Sequence, residues 1–242
     1  MQRTQHIMGM PITITTVDDD PQAVAEAFDC FRAADRAYSP FKPDSEVSRV
    51  RAGLSRSRWS KELQGIVKLC EQTTQQTNGY FDVGTGKQFD PSGLVKGWAI
   101  QRAAERLARR VDNFYIEAGG DIQSRGHNAG GKPWRFGIRN PFNRHEIIKT
   151  VTVQGQGVAT SGTYLRGQHI YNPHRPGKPV TDIISLTVIG PNIYEADRFA
   201  TAAFAMGREG IRFIDQLAGF AGYMIDSAGI ATMSRSFAEF VP

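Results

Sequence analysis

Three observations predict an α+β fold. Short alternating or continuous apolar stretches have the pattern of strands. Other segments carry apolar residues three and four apart, as amphipathic helices do. The two kinds follow one another without the regular strand-helix-strand alternation that a doubly wound sheet requires. The expected architecture is therefore one domain over residues 1–242, a mixed or antiparallel sheet flanked by helices. With 242 residues and 40% apolar content, the chain can fill a sizeable core.

The alternation in Ile12-Thr-Ile-Thr-Thr-Val predicts the first strand. Asp18-Asp-Asp-Pro is a turn that caps the first helix, and Pro21 suits a helix start. Val24, Ala27, Phe28, Phe31 and Ala34 lay an apolar face along that helix over 21–37. Two prolines in Tyr38-Ser-Pro-Phe-Lys-Pro-Asp-Ser-Glu-Val-Ser-Arg-Val end it, predicting an ordered loop and a short capped turn. Ser60 caps a second helix, on which Leu63, Ile66, Val67 and Cys70 share a face until Asn78-Gly79 stops it. A loop with two Phe-Asp pairs and three glycines comes next, then a third helix over 94–110 with Val95, Trp98, Ala99 and Leu107 as its stripe. Glycines ahead of a helix let backbone N–H groups approach an anion, so a phosphate site is expected there. Gly84-Thr-Gly-Lys is not a P-loop, because Phe81 occupies the upstream glycine position and Gln88 the Ser/Thr position.

Phe114-Tyr-Ile predicts a strand running into the tight turn Ala118-Gly-Gly-Asp-Ile. Trp134-Arg-Phe-Gly-Ile-Arg-Asn-Pro, Ile147-Ile-Lys-Thr-Val-Thr-Val, Val158-Ala-Thr-Ser-Gly and Ile184-Ser-Leu-Thr-Val-Ile-Gly predict four more. Helices over 197–206 and 210–218 and two short strands near Tyr223 and Thr232 complete the chain.

Composition removes several function classes. The net charge is +5 with no block of five like charges, and aromatic residues do not alternate with a basic stripe, which argues against nucleic-acid binding. Cys30 and Cys70 lack CxxC spacing and sit among apolar residues, as free thiols rather than zinc ligands do. No apolar run approaches the ~18 residues of a membrane span. Nor does the N-terminus hold a signal h-region or a cysteine for lipid attachment. The expectation is a cytoplasmic protein, exported only if a leader has been removed.

Chemistry gathers late in the chain, in Ala159-Thr-Ser-Gly-Thr, His169-Ile-Tyr-Asn-Pro and Glu195-Ala-Asp-Arg-Phe-Ala-Thr. Asp197 and Thr201, four apart, share one helix face. Two hard oxygen donors so placed suit a magnesium ion that also holds phosphates. Taken alone, the pair reads first as a helix-start charge at Asp197 and a solvated Thr201.

Taken together, these segments resemble the ApbE-type FAD:protein FMN transferases. The likeness runs collinearly through Met8-Gly9, Ser39-Pro-Phe-Lys-Pro-Asp-Ser-Glu-Val-Ser-Arg-Val, Gly79-Tyr-Phe-Asp, Phe89-Asp-Pro-Ser-Gly-Leu-Val-Lys-Gly-Trp-Ala-Ile, Ala118-Gly-Gly-Asp-Ile, Ala159-Thr-Ser-Gly, His169-Ile-Tyr-Asn-Pro and Ala196-Asp-Arg-Phe-Ala-Thr. The resemblance implies that FAD is bound with Mg2+ and that FMN moves to a threonine hydroxyl of an acceptor protein, releasing AMP. It implies metal ligation by Asp197, Thr201 and the Gly93 carbonyl. FAD contacts are implied for Met8, Phe41, Tyr80, Phe81, Asp82, Asp90, Lys96 and Tyr171. His169 matches a histidine proposed to act in the transfer, and Asp197 is positioned to share the role of base. Asp121 and Ser161 fit the pattern without an assigned role beyond shaping loops.

Departures accompany the likeness. Met10 replaces the usual threonine, Phe41 replaces a common tyrosine, and the stretch between the two Phe-Asp pairs is shorter than usual. Two alternatives share the same pocket. One is a hydrolase splitting FAD to FMN and AMP, and the other is a catalytically silent FAD-binding protein.

Overall fold

The computed structural model describes residues 1–143, 145–163 and 170–242. The chain opens with a hairpin of β1 (Gln2–Ile7) and β2 (Met10–Thr16), followed by α1 (Pro21–Tyr38), α2 (Glu46–Arg51), α3 (Lys61–Gln76) and α4 (Ser92–Leu107). Strands β3 (Phe114–Ala118), β4 (Asp121–Arg125), β5 (Trp134–Arg139), β6 (Ile147–Val153), β7 (Gly157–Gly162) and β8 (Ile183–Gly190) come next. They lead into α5 (Ile193–Ala205), α6 (Gly210–Asp215), β9 (Ala221–Asp226) and β10 (Ala231–Met233). Eight strands form one sheet in the order β1-β2-β3-β4-β7-β8-β9-β10, and β5 and β6 pair as a separate ribbon. Every pairing is antiparallel, so of the two sheet types expected, the antiparallel one is observed.

Successive residues of a strand point to opposite faces, and both faces of this sheet are covered. Leu186, Val188 and Met224 join one core with Phe28, Phe31, Ile100 and Phe204 of α1, α4 and α5. Ile189, Tyr223 and Ile225 join a second core with Trp134, Val151 and Phe237 from the ribbon and the C-terminal turn. That is why β8 is buried along nearly its whole length.

Helix ends follow the capping residues. Asp20 accepts from Ala23 N–H, Ser45 from Ser48 N–H, Ser60 from Leu63 N–H and Asn192 from Glu195 N–H. The last of these corrects the expected start of α5, because Asn192 begins the helix at Ile193, four residues before Asp197. α4 starts at Ser92 and ends at Leu107, and α6 ends at Asp215. β1 is an addition to the expected strands. Its residues are mostly polar and exposed because it is the sheet edge. Cys30 and Cys70 are free, and no described helix is long and apolar enough to cross a membrane.

Candidate active site

The turns Met8-Gly9 and Gly119-Gly120 close two hairpins at the same end of the sheet, since Ile7 faces Met10, Ile12 faces Ala118 and Ala118 faces Asp121. Both turns need the left-handed region, with φ of 56° and 72° at Met8 and Gly9 and 60° and 97° at Gly119 and Gly120. A methionine in that region is unusual for a side chain of its size, and it lies at the rim of a pocket. The pocket has a volume of about 830 Å3, near the upper end of the roughly 300–1,000 Å3 common for small-molecule sites. It lies between this sheet end, the first turns of α4 and the middle of α5.

The floor is acidic and lysine-bridged. Asp197 is 2% exposed and Asp121 1% exposed. Lys96 Nζ lies 2.5 Å from Asp121 Oδ2 and 3.2 Å from Asp197 Oδ1. Asp197 Oδ2 accepts the Gly97 backbone N–H at 2.8 Å, and Asp121 Oδ1 accepts that of Thr160 at 3.1 Å. Burial pushes the Asp197 carboxyl up to about 7; the Asp121 carboxylate adds to this, while Lys96 and the Gly97 N–H oppose it. So deep a position, in the second turn of α5, removes the helix-start explanation of Asp197. Thr201, one turn further on, lines the same pocket. Gly93 packs against it, since a methyl group added at Gly93 would stand 3.6 Å from the Thr201 methyl.

The fit to a hard divalent cation rests on donor chemistry. A carboxylate, a hydroxyl and a backbone carbonyl on adjoining turns are all oxygen donors, and the two buried carboxylates outnumber the ammonium between them. Among the described residues no group of three or more His, Cys, Asp or Glu side chains suits a metal. An ion here would depend on this mixed set.

The walls come from three loops. Phe81 is buried and packs against Gly93, whereas Phe41 is 91% exposed at the mouth. The Tyr80 ring packs against His174 at a tilt of 56° with 4.4 Å between ring centroids, and His174 Nε2 lies 2.9 Å from the Asn78 carbonyl oxygen. The Tyr171 hydroxyl donates to Asp82 Oδ2 at 2.6 Å, joining the loops around 80 and 171. Burial first, then that carboxylate, pushes the Tyr171 hydroxyl up to about 12. Asp90 accepts from Ser92 N–H at 3.0 Å and pairs with Arg51 at 3.3 Å. The start of α4 thus faces the pocket with Ser92 and Gly93. A short helical turn over Gly86–Gln88 contributes Gln88 to the lining.

Met8, Phe41, Tyr80, Phe81, Asp82, Asp90, Gly93, Lys96, Tyr171, Asp197 and Thr201 all line this one pocket. His169 lies outside the described residues. Two further residues belong to the site. Asp121 lies buried behind the floor and holds Lys96 there, and Arg51 ties its walls by donating to the Phe89 carbonyl at 2.7 Å and the Pro40 carbonyl at 3.2 Å. A basic residue in the last turn of a short helix gives no sequence signal for that task.

Fold and site together define an α+β ligand-binding protein with a deep pocket, an oxygen-donor floor and a lysine facing it. The model of the ApbE family matches residues 8–89 and 84–224, and the chain belongs to that family. It is 32% identical over 166 residues to an FAD:protein FMN transferase of Klebsiella pneumoniae (strain 342), covering 63% of this chain and 47% of that one. Identity is 30% over 166 residues to the protein of that description from Escherichia coli (strain K12), with the same coverage. The chain spans about half the length of these curated relatives. Its fold matches the crystal structure of an ApbE protein from Thermotoga maritima with a TM-score of 0.88 at 20% identity, covering 100% of this chain and 99% of that one. A flavin transferase ApbE from Vibrio cholerae matches with a TM-score of 0.87 at 22% identity and the same coverage.

Proposed function

We propose that this protein is an FAD:protein FMN transferase that cleaves the FAD pyrophosphate in a magnesium-dependent reaction and attaches FMN to a threonine of another protein, releasing AMP. The observation that carries the proposal is the convergence of Asp197, Thr201, Gly93 and Lys96 on one pocket floor beneath aromatic walls. Family membership and the named relatives support the same reading.

Phosphoryl-type transfer asks a protein mainly for positioning and charge neutralisation. Asp197, Thr201 and the Gly93 carbonyl would hold the Mg2+; when bound, the ion neutralises pyrophosphate oxygens and makes phosphorus more open to attack. Lys96 adds a fixed positive charge on the same floor. Phe41, Tyr80 and Tyr171 offer ring faces to the flat parts of FAD. The start of α4 brings Ser92 and Gly93 to the pocket, next to this floor. In the transfer, the threonine oxygen forms a bond to the FMN phosphorus, the anhydride bond to AMP breaks, and the threonine proton passes to a base. His169 and Asp197 are the candidates for that base.

The test is incubation with FAD, Mg2+ and a candidate acceptor. FMN mass on an acceptor threonine with one AMP released per adduct is expected, and Asp197→Ala abolishes both. AMP released in full without acceptor would show a hydrolase. FAD binding with no AMP under any condition would show a silent flavin binder.

A further inference from the structure

Asp121 has no assigned role, yet it is the more deeply buried of the two floor carboxylates and makes the shorter contact with Lys96. Its position is fixed from two directions. It is the first residue after the Gly119-Gly120 turn, and its Oδ1 is held by the Thr160 N–H of the neighbouring strand. Asp121 is therefore a rigid part of the sheet end, whereas Lys96 reaches it from α4 on a four-carbon stem. The same ammonium also lies 3.2 Å from Asp197 Oδ1.

We propose that Asp121 is a positioning residue for Lys96, keeping the ammonium from collapsing onto Asp197 so that lysine and divalent ion are held side by side. The inference rests on the reading of Asp197 as a metal ligand. A cation drawn to Asp197 meets a lysine 3.2 Å from Oδ1. With Asp121 present, the lysine has a second, closer carboxylate to stay on. With Asp121 neutralised, the ammonium loses that hold while still beside Asp197, in direct competition with the ion. Asp121 thus acts through Lys96, and its charge alone does not account for its effect.

This predicts a thermodynamic cycle, read with Mn2+ as a hard-ion probe, the free ion counted by electron paramagnetic resonance without FAD. Asp121→Asn keeps an oxygen for the Thr160 N–H and loses the charge; it weakens Mn2+ binding roughly tenfold, within the range seen for residues in one network. Lys96→Met tightens Mn2+ binding, because a competing cation is gone. In the Lys96→Met background only the charge of Asp121 is lost, so adding Asp121→Asn weakens binding by clearly less than in the parent. Equal weakening in both backgrounds would overturn the proposal, showing that Asp121 acts as a charge and not through the lysine. No weakening by Asp121→Asn alone would overturn it as well. If Asp121→Asn does not fold, Asp121→Ser takes its place in the cycle, alone and with Lys96→Met, and the same outcomes support or overturn the proposal. Asp197→Ala separates the two readings. If it leaves Mn2+ binding intact, Asp197 is no ligand and both fail; if it abolishes binding while the cycle is additive, only the Asp121 proposal fails.

Discussion

Replacing Gly97 by alanine sets a local preference against a close approach of two helices. In a helix interior, alanine is favoured over glycine by about 1 kcal/mol. Here, however, the new methyl would lie 2.8 Å from Asp197 Cβ, 2.9 Å from its Oδ2 and 3.1 Å from the Ile193 carbonyl oxygen. Carbon atoms in good contact stand about 3.5 Å apart, so α4 and α5 must separate by roughly 0.7 Å at that level. The Ile193 carbonyl is backbone and has no rotamer to escape into. Overpacking of this kind costs about 1–3 kcal/mol. The net expectation is a loss of about 1 kcal/mol, or roughly 2–4 °C in Tm for a chain of this size. The site suffers more than the fold. Separation lengthens the 2.8 Å hydrogen bond from Gly97 N–H to Asp197 and moves the α5 donors Asp197 and Thr201 away from Gly93 and Lys96 on α4. Magnesium demands near-ideal octahedral geometry, so divalent-ion affinity should fall tenfold or more. Thermal melts in EDTA and Mn2+ titration measure the two effects. A variant with a higher Tm and unchanged Mn2+ affinity would show that the helices yield freely there, and would refute the argument.

Asp197→Asn should be at least as stable as the parent in EDTA at pH 8. The buried carboxyl titrates near 7, above its ordinary 3.8, so its contribution to stability is fully present below about 3.8 and is lost as pH rises to about 7. Asparagine remains neutral throughout; a lower Tm at pH 8 than the parent would contradict this sign. By the same linkage, divalent-ion binding must displace a proton below about pH 7, so affinity should climb with pH and level off above it. Calorimetry in buffers of different ionisation enthalpy counts that proton. Tyr171→Phe removes the 2.6 Å bond to Asp82; because the tyrosine is half-exposed, Tm should stay within about 1 °C while FAD affinity drops several-fold. Flavin fluorescence quenching reads the second quantity, and unchanged affinity would show that the two loops need no tie.

The helices were legible because their apolar stripes and caps are local. Phe28 and Phe31 on α1, and Ser60 ahead of α3, announce themselves within one or two turns. The start of α5 is set by Asn192, whose side chain caps the Glu195 N–H two residues before Asp197. β1 left no pattern because an edge strand buries little; of its residues only Ile7 is buried. Collinear motifs brought eleven predicted residues to one pocket lining. What motifs could not give was contact. Asp121 meets Lys96 only because a turn ends the third strand beside the first turns of α4. Arg51 reaches Phe89 across 38 residues of chain. Pairings of that kind belong to the tertiary fold, not to spacing.

Contacts between distant parts of the chain close the pocket. Its hydrogen bonds from Gly97 to Asp197 and from Tyr171 to Asp82 close separations of 100 and 89 residues, and Met8 at its rim belongs to the first hairpin. Closing such long loops costs entropy that is recovered only when the helices have docked on the sheet, so the site assembles among the last events of folding. A nascent or nicked chain therefore carries the aromatic residues and the acids without the cavity. Capture of a ligand in this pocket would report that the chain has finished folding, and ligand present during refolding should stabilise the final state while leaving the early steps unhurried.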